Sequence, residues 1–489
     1  MNYHLPAILF LLPLFAGISM PLVCLKNRHW SHPISLAVLA AMAVISVLNL
    51  HSVIQHGEVR YMFSGWTAPL GIEWVADGLA SVIMVLLSVL GLLGVMFTGP
   101  TSPKALGGRI VHYYTLILLL ISALTGIVFA ADLFNLFVFL EVAAISSYAL
   151  VGVAGGKALF AAFRYLILGT LGASLYLLGV SYLYAVTGTL NMADIAEKIP
   201  ALLGSKALVG GLLFIFIGLG IKMALVPFHG WMPEAYAYAP DSISPILAPF
   251  VTKVALLAWI RIIYWVLNAS IAIYDIPILL LVAVLGALAA VIGASLALAQ
   301  RDLKMMFAYG GISHIGIILM GIGQGNQTGF AGGVFYLLND AVMQAGLFFL
   351  AGVAFHQYGV RTIDDIGRVG KQAPWFTGSL IVVALGMIGL PPTGGFFGKW
   401  YIILGALQAD NYVSVAAVLL ATLLTLAYFV KLFEAMFRKT TTPPEVQFDE
   451  IPLSLKLPLG ITAAAVMIMG LLSSPIVQLL LNQALPPSL

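Results

Sequence analysis

Residues 218–261 read GLGIKMALVPFHGWMPEAYAYAPDSISPILAPFVTKVALLAWIR. They close an apolar run that carries Lys222, break at Pro227, pass a Trp/Pro-rich loop and open a second apolar run that holds Lys253. At roughly 1.5 Å of rise per helical residue, Lys253, about twelve residues past Asp241, lies about 18 Å from the nearer end of its helix. A lysine stem cannot snorkel to water over that distance. The amine is therefore predicted to be buried within a membrane, at a cost on the order of 2.5–3.5 kcal/mol even on lenient scales, and ionisable groups at such depth mark ion pathways.

The rest of the chain agrees with a membrane setting. Only 8% of its 489 residues are charged against 61% apolar, and runs near the spanning length of about twenty residues recur from end to end. We read an all-α polytopic membrane protein of about fourteen transmembrane helices, at 5–25, 33–54, 75–97, 111–130, 132–153, 161–187, 206–226, 241–267, 275–299, 303–324, 328–355, 374–408, 411–437 and 455–482. The first run is too long for a signal h-region and has no Lys or Arg before it, so it is read as a span. The twelfth is interrupted by Gly389-Leu390-Pro391-Pro392-Thr393-Gly394-Gly395, and the seventh is a candidate for interruption between Gly218 and Pro227. Irregular backbone at membrane depth survives only where protein or a wet cavity surrounds it.

One cysteine, Cys24, excludes an intrachain disulfide and a cysteine-held iron–sulfur cluster, so electron transfer through this chain is not expected. A net charge of +3 says little about partners, because the cations sit in loops that set topology rather than on a basic face, and no nucleic-acid partner is expected. Odd-numbered connections carry Lys26, Arg28, Lys104, Arg109, Lys157, Arg301, Arg361, Arg368, Lys371, Arg438, Lys439 and Lys456; even-numbered ones carry Arg60, Lys198 and Lys206. Positive residues mark the cytoplasmic side, so both termini are expected on the other side. Beyond these loops, only 188–206 and the tail after 438 are sizeable polar stretches.

Intramembrane polar residues repeat. Glu141 and His314, Arg164 and Asp340, Lys222 and Lys399, and Lys253 and Lys431 stand 173 to 178 positions apart, which maps spans four to eight onto nine to thirteen. Five spans per unit is odd, so the units should be inverted, with sites near the broken helices. The organisation expected is an N-terminal three-helix segment (1–110), a first five-helix half (111–267), a second (268–438) and a C-terminal helix (439–489).

Each candidate residue has a plainer role beside the functional one. Glu141 lies mid-span, nine residues after Asp132, which places the two carboxylates on opposite faces of one helix. Its plainer role is a structural ion pair, yet a pair used only for packing is replaceable by apolar residues at little loss. Lys222 precedes the proline break, where freed carbonyls and glycines admit water. A buried ammonium holds its proton while a carboxylate lies against it and gives it up when that partner moves, so a mobile Glu141–Lys222 pair is a proton switch. Lys253 and Lys399 follow the same logic, and His314 is placed to relay protons between them, or simply to hydrogen-bond within the core. Tyr336, Asp340 and Gln344 form a polar stripe on the eleventh span. Its plainer role is an interhelical hydrogen-bond patch. His229 and Glu234 fall short of metal-site spacing, and no cofactor is expected.

The segments DLFNLFVFLEVAAISSYALVG, IKMALVPFHGWMPEAYAYAPDSISPILAPFVTKVALLAWIR and GLPPTGGFFGKW together resemble the antiporter-like subunits shared by Mrp-type cation/proton antiporters, respiratory complex I and energy-converting membrane-bound hydrogenases. The resemblance runs from about the third span to the thirteenth. It implies inverted repeats with a midplane row of polar residues: Glu141 paired with Lys222, Lys253 linking two half-channels, and Lys399 ending the second. A lysine on the broken twelfth helix and the absence of a long lateral helix look most like the D-type component of Mrp antiporters. Many relatives carry histidine where Asp340 stands and lysine where Gln344 stands, which leaves Asp340 and water to carry the second relay.

Three functions are in competition. The leading one is a proton-translocating subunit of a multisubunit Na⁺(K⁺)/H⁺ antiporter in a prokaryotic inner membrane, using Glu141, Lys222, Lys253, His314 and Lys399, with Asp340 and Arg164 in support. The second is the same path driven by redox chemistry on other chains. The third is a stand-alone solute symporter with the broken helices as its substrate site. The first two require other membrane subunits as partners; the third does not.

Overall fold

In a computed structural model of the chain, the residues described are 2–102, 104–267, 277–370, 373–438, 451–486 and 488–489. Lys371, Lys439, the expected start of the ninth span, the polar tail at 439–450 and the expected boundaries at 268 and 439 lie outside them. Three helices lead: α1 (Leu5–Val23), α2 (Ser31–His56) and α3 (Gly78–Thr101), with a hairpin of β1 (Val59–Met62) and β2 (Glu73–Ala76) between the last two. Next come α4 (Ile110–Phe129), α5 (Leu133–Gly152), α6 (Lys157–Thr187), a short α7 (Met192–Lys198), α8 (Lys206–Lys222), α9 (Met232–Tyr238) and α10 (Ser244–Arg261). The second unit holds α11 (Ile278–Ala299), α12 (Leu303–Ile322), α13 (Gln327–Tyr358), α14 (Pro374–Ile388), α15 (Gly394–Gln408) and α16 (Tyr412–Phe437), and α17 (Leu453–Leu471) and α18 (Ser473–Gln483) follow.

Among the described residues twelve helices are long and apolar enough to cross a bilayer. The crossings made in two pieces, α8 with α9 and α14 with α15, complete the fourteen. Several boundaries move by a few residues, the sixth span starting at Lys157 rather than 161 and the third running Gly78–Thr101 rather than 75–97, and two of the differences have a visible cause. The run 455–482 splits at Leu472, because Pro475 offers no N–H to the carbonyl of Leu471. The eighth span begins at Ser244 rather than 241, since a turn closed by Ile243 N–H on Pro240 O precedes it. Lys253 is then nine residues from its helix start, still about 13 Å deep.

The repeat is inverted, and its hydrogen bonds say so. Asp132 Oδ1 accepts from Asn135 N–H at the start of α5, and Asp302 Oδ1 accepts from Met305 N–H at the start of α12. Each cap is followed by the same backbone exchange: Leu133 N–H with Leu190 O and Met192 N–H with Ala131 O in one unit, Leu303 N–H with Arg361 O and Ile363 N–H with Arg301 O in the other. Ala131 and Met192 line a crevice built from the even-numbered connections, whereas Asp302 and Arg361 line a cavity built from the odd-numbered ones. One motif on two opposite faces is what an odd number of crossings per unit produces.

The true register corrects the polar pairs read from sequence. Asp132 to Asp302 gives an offset of 170, and the left-handed C-cap glycines Gly188 and Gly359 give 171. Glu141 therefore corresponds to Gly311, with His314 one turn beyond, and Arg164 to Val334 rather than Asp340. Lys222 ends α8 before its break, while Lys399 lies inside α15 after its break. Lys431 donates to Leu298 O and Gln300 O and so caps α11, unlike Lys253. Matching charges alone misled the count because the two units place like charges on different turns.

Small residues let the helices approach closely, as membrane interfaces need when water supplies no driving force. A Cβ on Gly316 of α12 would come within 2.4 Å of Gly286 O and Ala290 N of α11. Backbone cannot yield there, so Gly316→Val is expected to cost the upper end of the roughly 1–3 kcal/mol of overpacking. Gly210→Val, with open space around it, should be silent. Thermal melting of the purified protein checks both, and equal melting temperatures would refute the packing argument.

Candidate functional site

Proline removes amide donors at both breaks, glycine turns the second, and each delivers a lysine. After α8, Ala224 takes a φ of +58° and donates its N–H to Ile221 O, which also accepts from Trp231 Nε1 at 2.8 Å. Lys222, the last helical residue, donates to Glu141 Oε1 of α5 at 2.9 Å. The Lys222 side chain is 7% exposed and that of Glu141 25%. After α14, Gly389 takes a φ of +83°, and its neighbours leave the last carbonyls of the half-helix without amide donors. Lys399 Nζ fills the gap, donating to Met387 O at 3.0 Å and Ile388 O at 2.9 Å. A cation on a helix C-terminus also complements the macrodipole.

Lys399→Met is expected to leave two buried acceptors bare, at about 1–3 kcal/mol each. Lys399→Arg should retain most of that stability. A melting temperature unchanged in Lys399→Met would contradict this capping role.

Between the breaks lies the centre of the molecule. Helices α10, α12 and α13 are buried along almost their whole lengths, so side chains on their facing sides meet no lipid. Lys253 Nζ of α10 stands 2.8 Å from Asp340 Oδ2 of α13 and donates to Ala248 O at 3.0 Å. Asp340 Oδ1 is 2.9 Å from His314 Nδ1 of α12. Tyr336 OH, one turn before Asp340, lies 3.3 Å from the same ring nitrogen, and Lys399 Nζ sits 5.9 Å from the centre of the Tyr336 ring. Lys253, Asp340, His314 and Tyr336 thus form a contiguous, buried series of titratable groups, and Lys399 lies over the face of the Tyr336 ring without a hydrogen bond to it.

Toward Lys222 the series is looser. Tyr236 and Thr252 lie against each other without a well-formed hydrogen bond, and Tyr148 OH and both polar atoms of the Gln344 amide have no protein partner. Gln344 packs beside Gly311 and Met232, between the two units. Buried polar atoms are almost always satisfied, by protein or by ordered water. Unpartnered polar atoms grouped in this way are where ordered water would bridge.

The family whose description reads NADH:quinone oxidoreductase/Mrp antiporter, TM matches residues 130–425. The chain belongs to this family. It is an integral, multi-pass membrane protein. Among its relatives, the N subunit of the NADH-quinone oxidoreductase of Desulforudis audaxviator is 37% identical over 503 residues, covering 99% of each chain. The D component of a Na(+)/H(+) antiporter of Alkalihalophilus pseudofirmus is 30% identical over 475 residues, covering 97% of this chain and 95% of that one. Among solved structures, a chain of the membrane-bound sulfane sulfur reductase, an archaeal respiratory membrane complex, superposes with a TM-score of 0.90 at 28% identity, over 97% of this chain and 96% of that one.

The structure brings together Glu141 with Lys222, and Lys253 with Asp340 and His314; Lys399 joins through Tyr336. Arg164 stands apart. Its Nη1 donates to Glu234 Oε2 of α9 at 2.7 Å, with side chains 42% and 29% exposed. Glu234 and Lys399 each stand seven residues past the proline of its break, Pro227 and Pro392, so the second unit carries a cation where the first carries a carboxylate. His229 lies apart from any carboxylate pair, and among the described residues no three His, Cys, Asp or Glu side chains gather as a metal site. Sequence reading missed two pairs, Lys304–Asp241 and Arg261–Asp77. A lysine one residue inside an apolar helix and an arginine six residues inside an expected span end were the available signals.

Proposed function

We propose that the chain is the proton-translocating subunit of a multisubunit Na⁺(K⁺)/H⁺ antiporter of the Mrp type. The observation that carries this is the buried contact Lys253–Asp340–His314, continued by Tyr336 to Lys399. Charges so deep are kept only where they are paired, and where packing is the sole need apolar residues do as well. Protons are held at the Glu141 carboxylate and the Lys222 amine, pass over the hydroxyls of Tyr148, Tyr236 and Thr252 and bridging water, and reach Lys253 and Asp340. Neutralising a carboxylate weakens its hold on the neighbouring ammonium, so a proton arriving at one pair releases one to the next. His314 exchanges with Asp340 through Nδ1, and Lys399 passes the proton onward when it leaves the carbonyls of Met387 and Ile388. Arg164 and Glu234 flank the first half.

A relative named as the D component of a Na(+)/H(+) antiporter supports sodium as the counter-ion. Two half-channels, 111–267 and 268–438, then follow a three-helix segment, 1–110, and precede the C-terminal segment 439–489. Membership of a hetero-oligomeric complex in a prokaryotic cell membrane, with both termini on the non-cytoplasmic side, agrees with the excess of positive residues in the odd-numbered connections. Catalysis in the enzymatic sense is not assigned to this chain.

A redox-driven complex is the second reading, favoured by the 37% identity to a component of a quinone oxidoreductase. A sodium pulse to inverted vesicles carrying the assembled complex, with a ΔpH-sensitive dye, separates them. Collapse of a preformed pH gradient on sodium or potassium addition alone supports the antiporter. A pH gradient that forms only with an electron donor and is indifferent to both cations rejects it.

A further inference from the structure

Three ion pairs are strung along α10 and the turn that leads into it, and only the middle one belongs to the path described above. At the start of α10 Lys304 pairs with Asp241 and donates to Ala239 O at 3.0 Å and Ser244 Oγ at 3.1 Å. At its end Arg261 Nη2 donates to Asp77 Oδ1 at 2.9 Å and Oδ2 at 3.0 Å. Lys253 lies nine residues after Ser244 and eight before Arg261, roughly 12–13 Å from either pair.

Each end pair stands between Lys253 and a cavity of its own face. Asp241 and Lys304 line a cavity of about 740 Å³ formed by odd-numbered connections, beside Lys157, Asp302, His356 and Arg361. Asp77 and Arg261 line a crevice of about 80 Å³ formed by even-numbered connections, beside Glu58, Arg60 and Glu73. Inward from the first pair lie the hydroxyls of Tyr236 and Thr252 without full hydrogen bonds; near the second, Trp259 Nε1 and Arg261 Nε are buried without partners. Buried polar atoms without protein partners are where ordered water is found, and a wet shaft from each cavity to Lys253 would pass them. Two staples needed only for packing would have no cause to border cavities on one side and unpaired polar atoms on the other.

We propose that Asp241–Lys304 and Asp77–Arg261 are gates that admit water and protons to Lys253 from opposite faces, one at a time. The proposal rests on Lys253 being a proton carrier. A closed gate locks the two side chains together across the shaft and leaves no continuous water for a proton or a metal cation to follow. Parting the pair hydrates the shaft on that face alone.

The test uses the assembled complex in sealed right-side-out and inverted vesicles, with Cys24→Ala and Thr252→Cys, and a membrane-impermeant cationic methanethiosulfonate. Arg261→Ala and Asp77→Asn should raise the labelling rate at least tenfold from the even-connection face alone; Lys304→Ala and Asp241→Asn should do so from the odd-connection face alone. Asp77 also caps α3 through Ala80 N–H at 2.8 Å, and asparagine caps as well as aspartate. A response in Asp77→Asn is therefore not unfolding, and Arg261→Lys should stay slow. Labelling that is unchanged in all four variants, or raised equally from both faces, overturns the gates. Should Thr252→Cys prevent assembly, the double variant Arg261→Ala/Lys304→Ala serves instead: it should dissipate an imposed pH gradient several-fold faster than either single variant, and equal rates overturn the proposal. Labelling needs no turnover, so a Lys253→Ala protein with full antiport would defeat the proton-carrier reading without touching the gate result.

Discussion

Asp340→Leu is expected to abolish proton movement and to lower the stability of the protein more than any other single change in the site. Asp340 is fully buried and is the carboxylate shared by Lys253, at 2.8 Å, and His314, at 2.9 Å. Its removal leaves a buried ammonium without a counter-charge, which costs about 3–5 kcal/mol unless the amine sheds its proton. The double variant Asp340→Leu/Lys253→Met removes both charges and should recover most of the melting temperature, since an apolar pair of similar volume is often neutral or stabilising. Transport should not recover, because no group is left to carry the proton between the units. Stability and transport thus part company in the double variant. Vesicles in which either variant moves protons at the wild-type rate would remove Asp340 from the path.

Glu141→Ala and Lys222→Ala should each reduce cation-driven proton exchange at least tenfold, with the complex still assembled. The two are not equivalent in stability. Lys222 is buried while a quarter of the Glu141 side chain is exposed, so an orphaned Lys222 is worse than an orphaned Glu141, which keeps some access to polar surroundings. The loss for Glu141→Ala should fall between the roughly 1 kcal/mol of an exposed pair and the 3–5 kcal/mol of a buried one. Lys222→Ala should fall nearer the lower figure. Initial rates in vesicles and melting of the purified complex read the two effects separately. Full exchange in either variant would exclude the first pair from the route, and a larger stability loss in Lys222→Ala would reverse the burial argument.

Much of this architecture is local and therefore legible. Apolar runs of spanning length give the crossings, and Gly389–Gly395 and the Gly218–Pro227 region give the breaks, because proline and glycine act on the backbone at their own positions. The depth of Lys253 also follows from counting residues along one helix. The repeat was legible only in outline: an odd number of spans sets the inversion, but charges stand on different turns in the two units, so polar residues gave a register of 173 to 178 where the caps give 170 and 171.

Sequence alone determined that this chain crosses a membrane many times, breaks two of its helices and sets three lysines at membrane depth. Those features depend on residues within a turn or two of one another. Tertiary structure decided which groups answer those lysines: Asp340 for Lys253, the carbonyls of α14 for Lys399, and for α10 the pairs Asp241–Lys304 and Asp77–Arg261 at its ends. Pairing across 87 or 184 positions, as from Lys253 to Asp340 and from Asp77 to Arg261, depends on how helices pack and rotate against one another. No periodicity within a single run records that.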